Sequence, residues 1–214
     1  LVFAIIEASS WGWSSPVIWS LFGLSLIGFI AFYFHENKAS SPLIKFDFFK
    51  NKQFLAGSLG AFSIVFLFWG IFFITPLYLQ NIRNFSPAFS GVFMLAHTIP
   101  FSLCSHYTGV ISDRIEKKKL AIAGLLISTI GLFLMTFYTA ESSLILTALS
   151  LFCCGIGGGI MFGPTVSLGI SSIPRSYSGV AAGAVSTLQE MGGTFGLALV
   201  GTLLFFTEKS ELRD

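Results

Sequence analysis

Six apolar runs, each close to twenty residues or longer and nearly free of charge, constrain this chain more than any motif in it. They lie at roughly 17–34, 54–79, 88–111, 120–139, 144–170 and 179–206, after a shorter run at 1–8. A helix that crosses the ~30 Å hydrocarbon core of a bilayer needs about 20 predominantly apolar residues. Barrel strands would instead alternate apolar and polar residues over ~10 positions, and these runs are continuous and too long for that. An all-α integral membrane protein is therefore expected, a bundle of spanning helices. Only 10% of the 214 residues are charged, against about 25% in soluble domains. The opening "LVFAII" is interrupted by Glu7 and has no basic stretch or cleavage site before it. It reads as the tail of a helix rather than a signal peptide, and the chain is expected to be a fragment.

Successive loops of such a bundle face opposite sides, so their Lys and Arg content sets the orientation. One set of loops holds Lys38, Lys45, Lys50, Lys52, Arg114, Lys117, Lys118, Lys119 and Arg175, and the other holds Arg83 with Lys209 and Arg213 in the tail. Nine against three places the first set, and the start of the chain, in the cytoplasm. The turn "SSWGWSSP" then lies outside, where Trp11 and Trp13 suit the interfacial aromatic belt. In "SPLIKFDFFKNKQF" (41–54), phenylalanines alternate with lysines and Asp47, a mixture expected of a short segment lying in the cytoplasmic interface.

Close helix contact in lipid depends on small residues, because lipid tails are as apolar as a core. In "FCCGIGGGIMFGP", Gly155, Gly159 and Gly163 recur every four residues and fall on one helix face. Gly179 with Gly183, and Gly192 with Gly196, repeat the spacing. These stripes are read as packing faces, and as faces that can rock past one another. Pro164 is expected to kink its helix or free a carbonyl. Cys104, Cys153 and Cys154 all sit in apolar runs without a Cys-x-x-Cys pair, which suits small core residues.

Ionisable groups at bilayer depth are the functional candidates. Glu190 falls some eleven residues into the last span, about 17 Å from its cytoplasmic end. A charge at the centre of a spanning helix costs on the order of 2.5–3.5 kcal/mol to insert, so this carboxylate is a candidate proton carrier. Gly183, Ser186, Thr187, Gly193 and Thr194 lie on or beside its face, which is expected to look into the bundle. His97 is the second candidate for proton coupling; His106 and His35 lie nearer the cytoplasmic side. No His, Cys and carboxylate residues stand at ligand spacing, so no metal is expected. G-x-S-x-G, H-E-x-x-H and paired intramembrane aspartates are lacking, and the chain is not read as an enzyme.

The cytoplasmic run "GVISDRIEKKK" (109–119) resembles the second-half copy of the loop signature of the major facilitator superfamily, G-x-x-x-D-R-x-G-R-R/K. Gly109, Asp113, Arg114, Lys117 and Lys118 fall on it, and Glu116 replaces the expected glycine. "GWSSP" (12–16), the segment at 41–54, "PLYLQ" (76–80) followed by "SPAFSGV", "GIGGGIMFGP" (155–164) and "SGVAAGAVSTLQEMGGTFGLALVGTL" (178–203) agree in order with its fourteen-helix drug:proton antiporter branch. The resemblance implies a C-terminal half. Residues 1–53 would hold the end of helix seven, helix eight and the interfacial segment, and 54–214 helices nine to thirteen, with helix fourteen and the N-terminal half outside the chain. It implies proton-coupled export of amphipathic or lipophilic drugs across the cytoplasmic (inner) membrane, by two bundles rocking about a midplane site. The alternative is export of a specific metabolite such as an amino acid or siderophore. The implied partners are the small-molecule substrate, the bilayer, the N-terminal half and, in some relatives, a periplasmic adaptor, with no nucleic acid. No cofactor is implied, the proton gradient being the energy source. In this family the loop signature latches the cytoplasmic side, and helix ten often carries an acidic group where this sequence has His97.

Overall fold

The computed structural model describes residues 1–38, 44–112 and 114–211, and the side chains among them except those of 9, 10, 37 and 205–211. Among the described residues eight α-helices follow one another: α1 (Val2–Trp11), α2 (Pro16–Lys38), α3 (Lys52–Leu77), α4 (Pro87–Phe93), α5 (Leu95–Ile111), α6 (Lys117–Met135), α7 (Leu144–Ser171) and α8 (Ser178–Glu211). Among the described residues there is no strand, as the continuous apolar runs require. Five stretches are long and apolar enough to cross a membrane, namely Pro16–Glu36, Lys52–Ile82, Pro87–Ile111, Lys117–Met135 and Leu144–Ser171. This is a multi-pass, all-α membrane protein.

Local chemistry sets the ends of these helices. Asn51 caps α3, its Oδ1 accepting from the backbone N–H of Gln53 (2.9 Å) and Phe54 (3.3 Å). Its amide also donates to the Ser172 carbonyl at 3.0 Å, tying the start of α3 to the end of α7. Ser86 and Ser143 cap α4 and α7 in the same way. The expected span at 88–111 is divided at Met94, whose carbonyl accepts from the N–H groups of His97 and Thr98 and from the Thr98 hydroxyl. That competition for one carbonyl interrupts the regular ladder. The run at 120–139 stops being helical at Met135, because Thr136, Phe137 and Tyr138 turn back on carbonyls of the preceding three residues.

Helix α7 is the hub, packed against α3, α5, α6 and α8, while α3 also runs along α8 and α1 leans on α8. Small residues make these approaches. A Cβ on Gly57 of α3 would strike the backbone of Gly169 in α7, and one on Gly124 of α6 would lie 2.5 Å from the Gly157 carbonyl. The glycines of α7 differ in what they meet among the described residues. Gly155 and Gly159 meet the carbonyls of His97 and Phe101 in α5, but Gly163 has nothing within 4 Å and does not pack. Pro164 is fully buried within α7, which runs on to Ser171. Gly192 and Gly196 meet the Phe62 and Phe66 carbonyls of α3, whereas Gly179 and Gly183 face open space.

The interfacial segment forms a short 3-10 turn at Phe46–Lys50. Phe48 is buried against the rings of Phe54 and Tyr177, so it belongs to a core cluster with Ala181, Ala184 and Val185. Lys50 and Asp47 pair at 2.6 Å on the exposed side, and the Lys45 ammonium lies 3.5 Å from the centre of the Tyr177 ring.

Candidate functional site

Helix α8 carries two stripes with opposite fates. Ala181, Ala184, Val185, Gly192 and Gly196 are buried, and the two glycines lie directly on α3. The polar stripe of Ser186, Thr187, Glu190 and Thr194 is exposed. On α8 the small residues take the contact with α3, because only they let the backbones approach, and the polar stripe stands away from that contact. Gly193, grouped with the polar face in the sequence, instead lies under the indole of Trp69.

The polar stripe still lines a concave surface. A cleft of about 730 Å³ is bounded by Ser186, Thr187, Glu190 and Thr194 of α8, by Val2 and Phe3 of α1, and by Phe29 of α2. The hydroxyls around Glu190 are satisfied by their own helix, Thr187 donating to the Gly183 carbonyl at 2.8 Å and Thr194 to the Glu190 carbonyl at 2.9 Å. The ion pairs among the described residues, Lys50–Asp47 and Lys119–Glu116, do not involve the Glu190 carboxylate. A neighbouring cleft of about 770 Å³, lined by Phe32, Tyr33, Phe46 and Phe49, shares Phe29, Thr187 and Met191 with it. Together they run along α8 from the interfacial turn to Glu190.

His97 lies elsewhere. It is 2% exposed, with Phe68 and Phe72 of α3 edge-on at 5.4 Å each and Phe101 stacked at 6.0 Å. It lines a small cavity that shares no residue with the Glu190 cleft. The two candidate coupling groups are not brought together.

In the loop between α5 and α6, Asp113 lies outside the described residues. Arg114 is exposed, its backbone N–H bonded to the Ile111 carbonyl at 2.8 Å. Gly109 has open space where a Cβ would stand, so it serves no close approach among the described residues. The lysines divide their work. Lys117 reaches α7 and donates to the Ser167 hydroxyl at 2.6 Å, while Lys118 stays exposed. Glu116, in the place of the signature glycine, pairs with Lys119 at 3.4 Å.

A second polar cluster, at the end of the bundle that holds the α3–α4 and α6–α7 loops, went unread in the sequence. The last turn of α3 widens into a π-turn at Tyr78–Ile82. The Tyr78 hydroxyl donates to the Thr139 carbonyl (2.7 Å) and accepts from Arg83 (3.3 Å), which also donates to the Ser142 carbonyl. Tyr138 stacks on Tyr78 and hydrogen-bonds Ser150 and the Thr147 carbonyl. The available signal was one cation in an outer loop beside a belt tyrosine, which looks like orientation alone.

A family model described as Major Facilitator Superfamily matches residues 1–197. Among curated proteins, the chain is 27% identical over 205 residues to the multidrug resistance protein Stp of Mycobacterium tuberculosis, covering 95% of this chain and 38% of that protein. It is 28% identical over 204 residues to the tetracenomycin C resistance and export protein of Streptomyces glaucescens, covering 95% and 38%. It is 29% identical over 220 residues to the multidrug transporter protein MdtP of Bacillus subtilis, covering 100% and 40%. A riboflavin transporter, RibZ of Clostridioides difficile, is 27% identical over 184 residues, covering 86% and 40%. The chain thus spans about two fifths of the length of these relatives.

Proposed function

Because this chain belongs to the Major Facilitator Superfamily, we propose that it is part of a proton-coupled exporter of amphipathic or lipophilic compounds in the cytoplasmic membrane. The observation that carries the reading is the Glu190 carboxylate, standing without an ion pair among the described residues in a cleft lined by both hydroxyls and apolar rings. The names of the similar proteins, two of them multidrug and one for tetracenomycin C resistance and export, support the cargo class.

In this proposal Glu190 takes a proton when its cleft opens outward and gives it up when the cleft opens to the cytoplasm. The negative carboxylate then favours an amphipathic cargo, and the neutral acid releases it. Alternating access moves the bundles about this site, with Gly109, Asp113, Arg114, Lys117 and Lys118 closing the cytoplasmic side. The reading makes α1 the end of helix seven, α2 helix eight, α4 with α5 helix ten and α8 helix thirteen.

The test is Glu190→Gln in the full-length protein, with pH-driven efflux measured in vesicles. Expression should be retained and pH-driven efflux lost. Unchanged efflux would remove Glu190 from coupling and leave His97 as the next residue to replace. The similarity to a protein named as a riboflavin transporter favours a second reading, export of one specific metabolite. Ligand-protected thermal melting across drugs and metabolites separates the two: broad protection supports drug export, and protection by a single metabolite supports the alternative.

A further inference from the structure

The cavity beside His97 lies where α3, α5, α6 and α7 converge, and it has a volume of about 20 Å³. A single water needs ~10–15 Å³ of such space and two to four polar partners. Its apolar wall includes Phe68 and Ile71 of α3 and Phe101 of α5; its polar wall is His97, Ser128 and Cys154. His97 is 2% exposed and its Nδ1 has no hydrogen-bond partner among the described residues. A buried nitrogen left so keeps the full penalty of losing solvent.

Glycines of α7 build this arrangement. Gly155 admits the His97 carbonyl, and Gly157 admits the Ser128 hydroxyl, each at a position where a Cβ would collide. The Cys154 thiol on the same wall already points at the Ser128 carbonyl, at 3.8 Å. Helices α5 and α6 each pack closely on α7, and the cavity is where their polar side chains face a common space.

We propose that this cavity binds one internal water molecule, held by His97 Nδ1 and Ser128, which joins α5 to α6 through a hydrogen-bonded bridge. A bridging water satisfies the imidazole nitrogen nearly as well as a direct bond would. Association of helices in lipid gains little from apolar burial, so a polar joint at this depth fixes their relative position. The joint is separate from the Glu190 cleft, and the proposal stands whether or not the protein exports drugs.

The experiment is radiolytic hydroxyl labelling of the full-length protein in lipid nanodiscs, read residue by residue by mass spectrometry. A bound water produces radicals in place, and the easily oxidised Met161 and Cys154 line the cavity. Met94 is buried like them, at 7% exposure against 3% for each, but lies off the cavity and serves as the control. Met161 and Cys154 should label several-fold faster than Met94. His97→Leu and Ser128→Ala should each bring that rate down to the Met94 level, and His97→Gln, which keeps a hydrogen-bonding group, should retain it. Ser128→Ala removes one oxygen and keeps the test valid if His97→Leu fails to fold. Labelling of Met161 and Cys154 at the Met94 rate in the unaltered protein, or rates unmoved by Ser128→Ala, would overturn the proposal.

Discussion

Tyr78 and Tyr138 stack with ring centroids 4.8 Å apart and planes 28° from parallel, and each hydroxyl bonds the backbone of another segment. Tyr78 holds the Thr139 carbonyl at 2.7 Å, and Tyr138 the Thr147 carbonyl at 3.3 Å. Stacked aromatic pairs are worth about 0.5–1.5 kcal/mol beyond the area they bury. A double-mutant cycle of Tyr78→Ala and Tyr138→Ala in the full-length protein should give a coupling energy in that range. Tyr78→Phe keeps the stack and should lose about 1 kcal/mol through the Thr139 and Arg83 bonds. Reversible unfolding in detergent measures both, and strict additivity of the two alanine variants would show that the rings do not act as a pair.

Glycine contacts make a second comparison. A Cβ at Gly192 or Gly196 would meet a carbonyl of α3, and forcing such a contact costs about 1–3 kcal/mol. Gly192→Ala and Gly196→Ala should therefore lower the melting temperature. Gly163→Ala and Gly183→Ala have open space and should be neutral or stabilising, since alanine is the better helix former by about 1 kcal/mol. Equal losses at all four positions would mean that the glycines serve the backbone rather than these contacts.

Lys117 and Ser167 fasten the start of α6 to α7 at 2.6 Å. Hydrogen bonds to charged groups contribute about 1.5–3 kcal/mol. Ser167→Ala should speed amide exchange in the first turn of α6 by about tenfold, and Lys118→Ala should leave it unchanged. Hydrogen exchange with mass spectrometry reads both.

The Asp47–Lys50 pair fixes a pH response outside the membrane. The hydrogen bond from Lys50, and then its charge, hold the Asp47 carboxyl below the ordinary carboxylate value. A lowered folded value means that the contribution to the turn is complete above the unfolded value, about pH 3.9. It is lost as pH falls through the lower folded one. Carbon NMR of Asp47 should show this low titration, and Lys50→Ala should return it to the ordinary value.

Several elements of the protein are legible from local sequence. Asn51, Ser86 and Ser143 mark helix starts because their side chains cap the backbone beside them. Gly155 with Gly159, and Gly192 with Gly196, mark contact faces because nothing larger fits there. The pairing of Glu116 with a lysine follows from three residues of separation on one helix edge. The Tyr78–Tyr138 cluster was not legible, since its parts lie about sixty residues apart and meet only through the π-turn and the α6–α7 loop.

The sequence by itself determined that this is a helical membrane bundle and where the five long apolar stretches of the described residues lie, because length and continuous apolarity act locally. Only the tertiary structure decided which side of each helix is inside. Gly163 looks like its neighbours yet packs on nothing among the described residues, and the polar face of Glu190 turns away from α3. In water the apolar face of a helix announces the core. In a bilayer the lipid is as apolar as the core, so the distinction rests on which small residues find a partner backbone, and that is settled by the assembled helices.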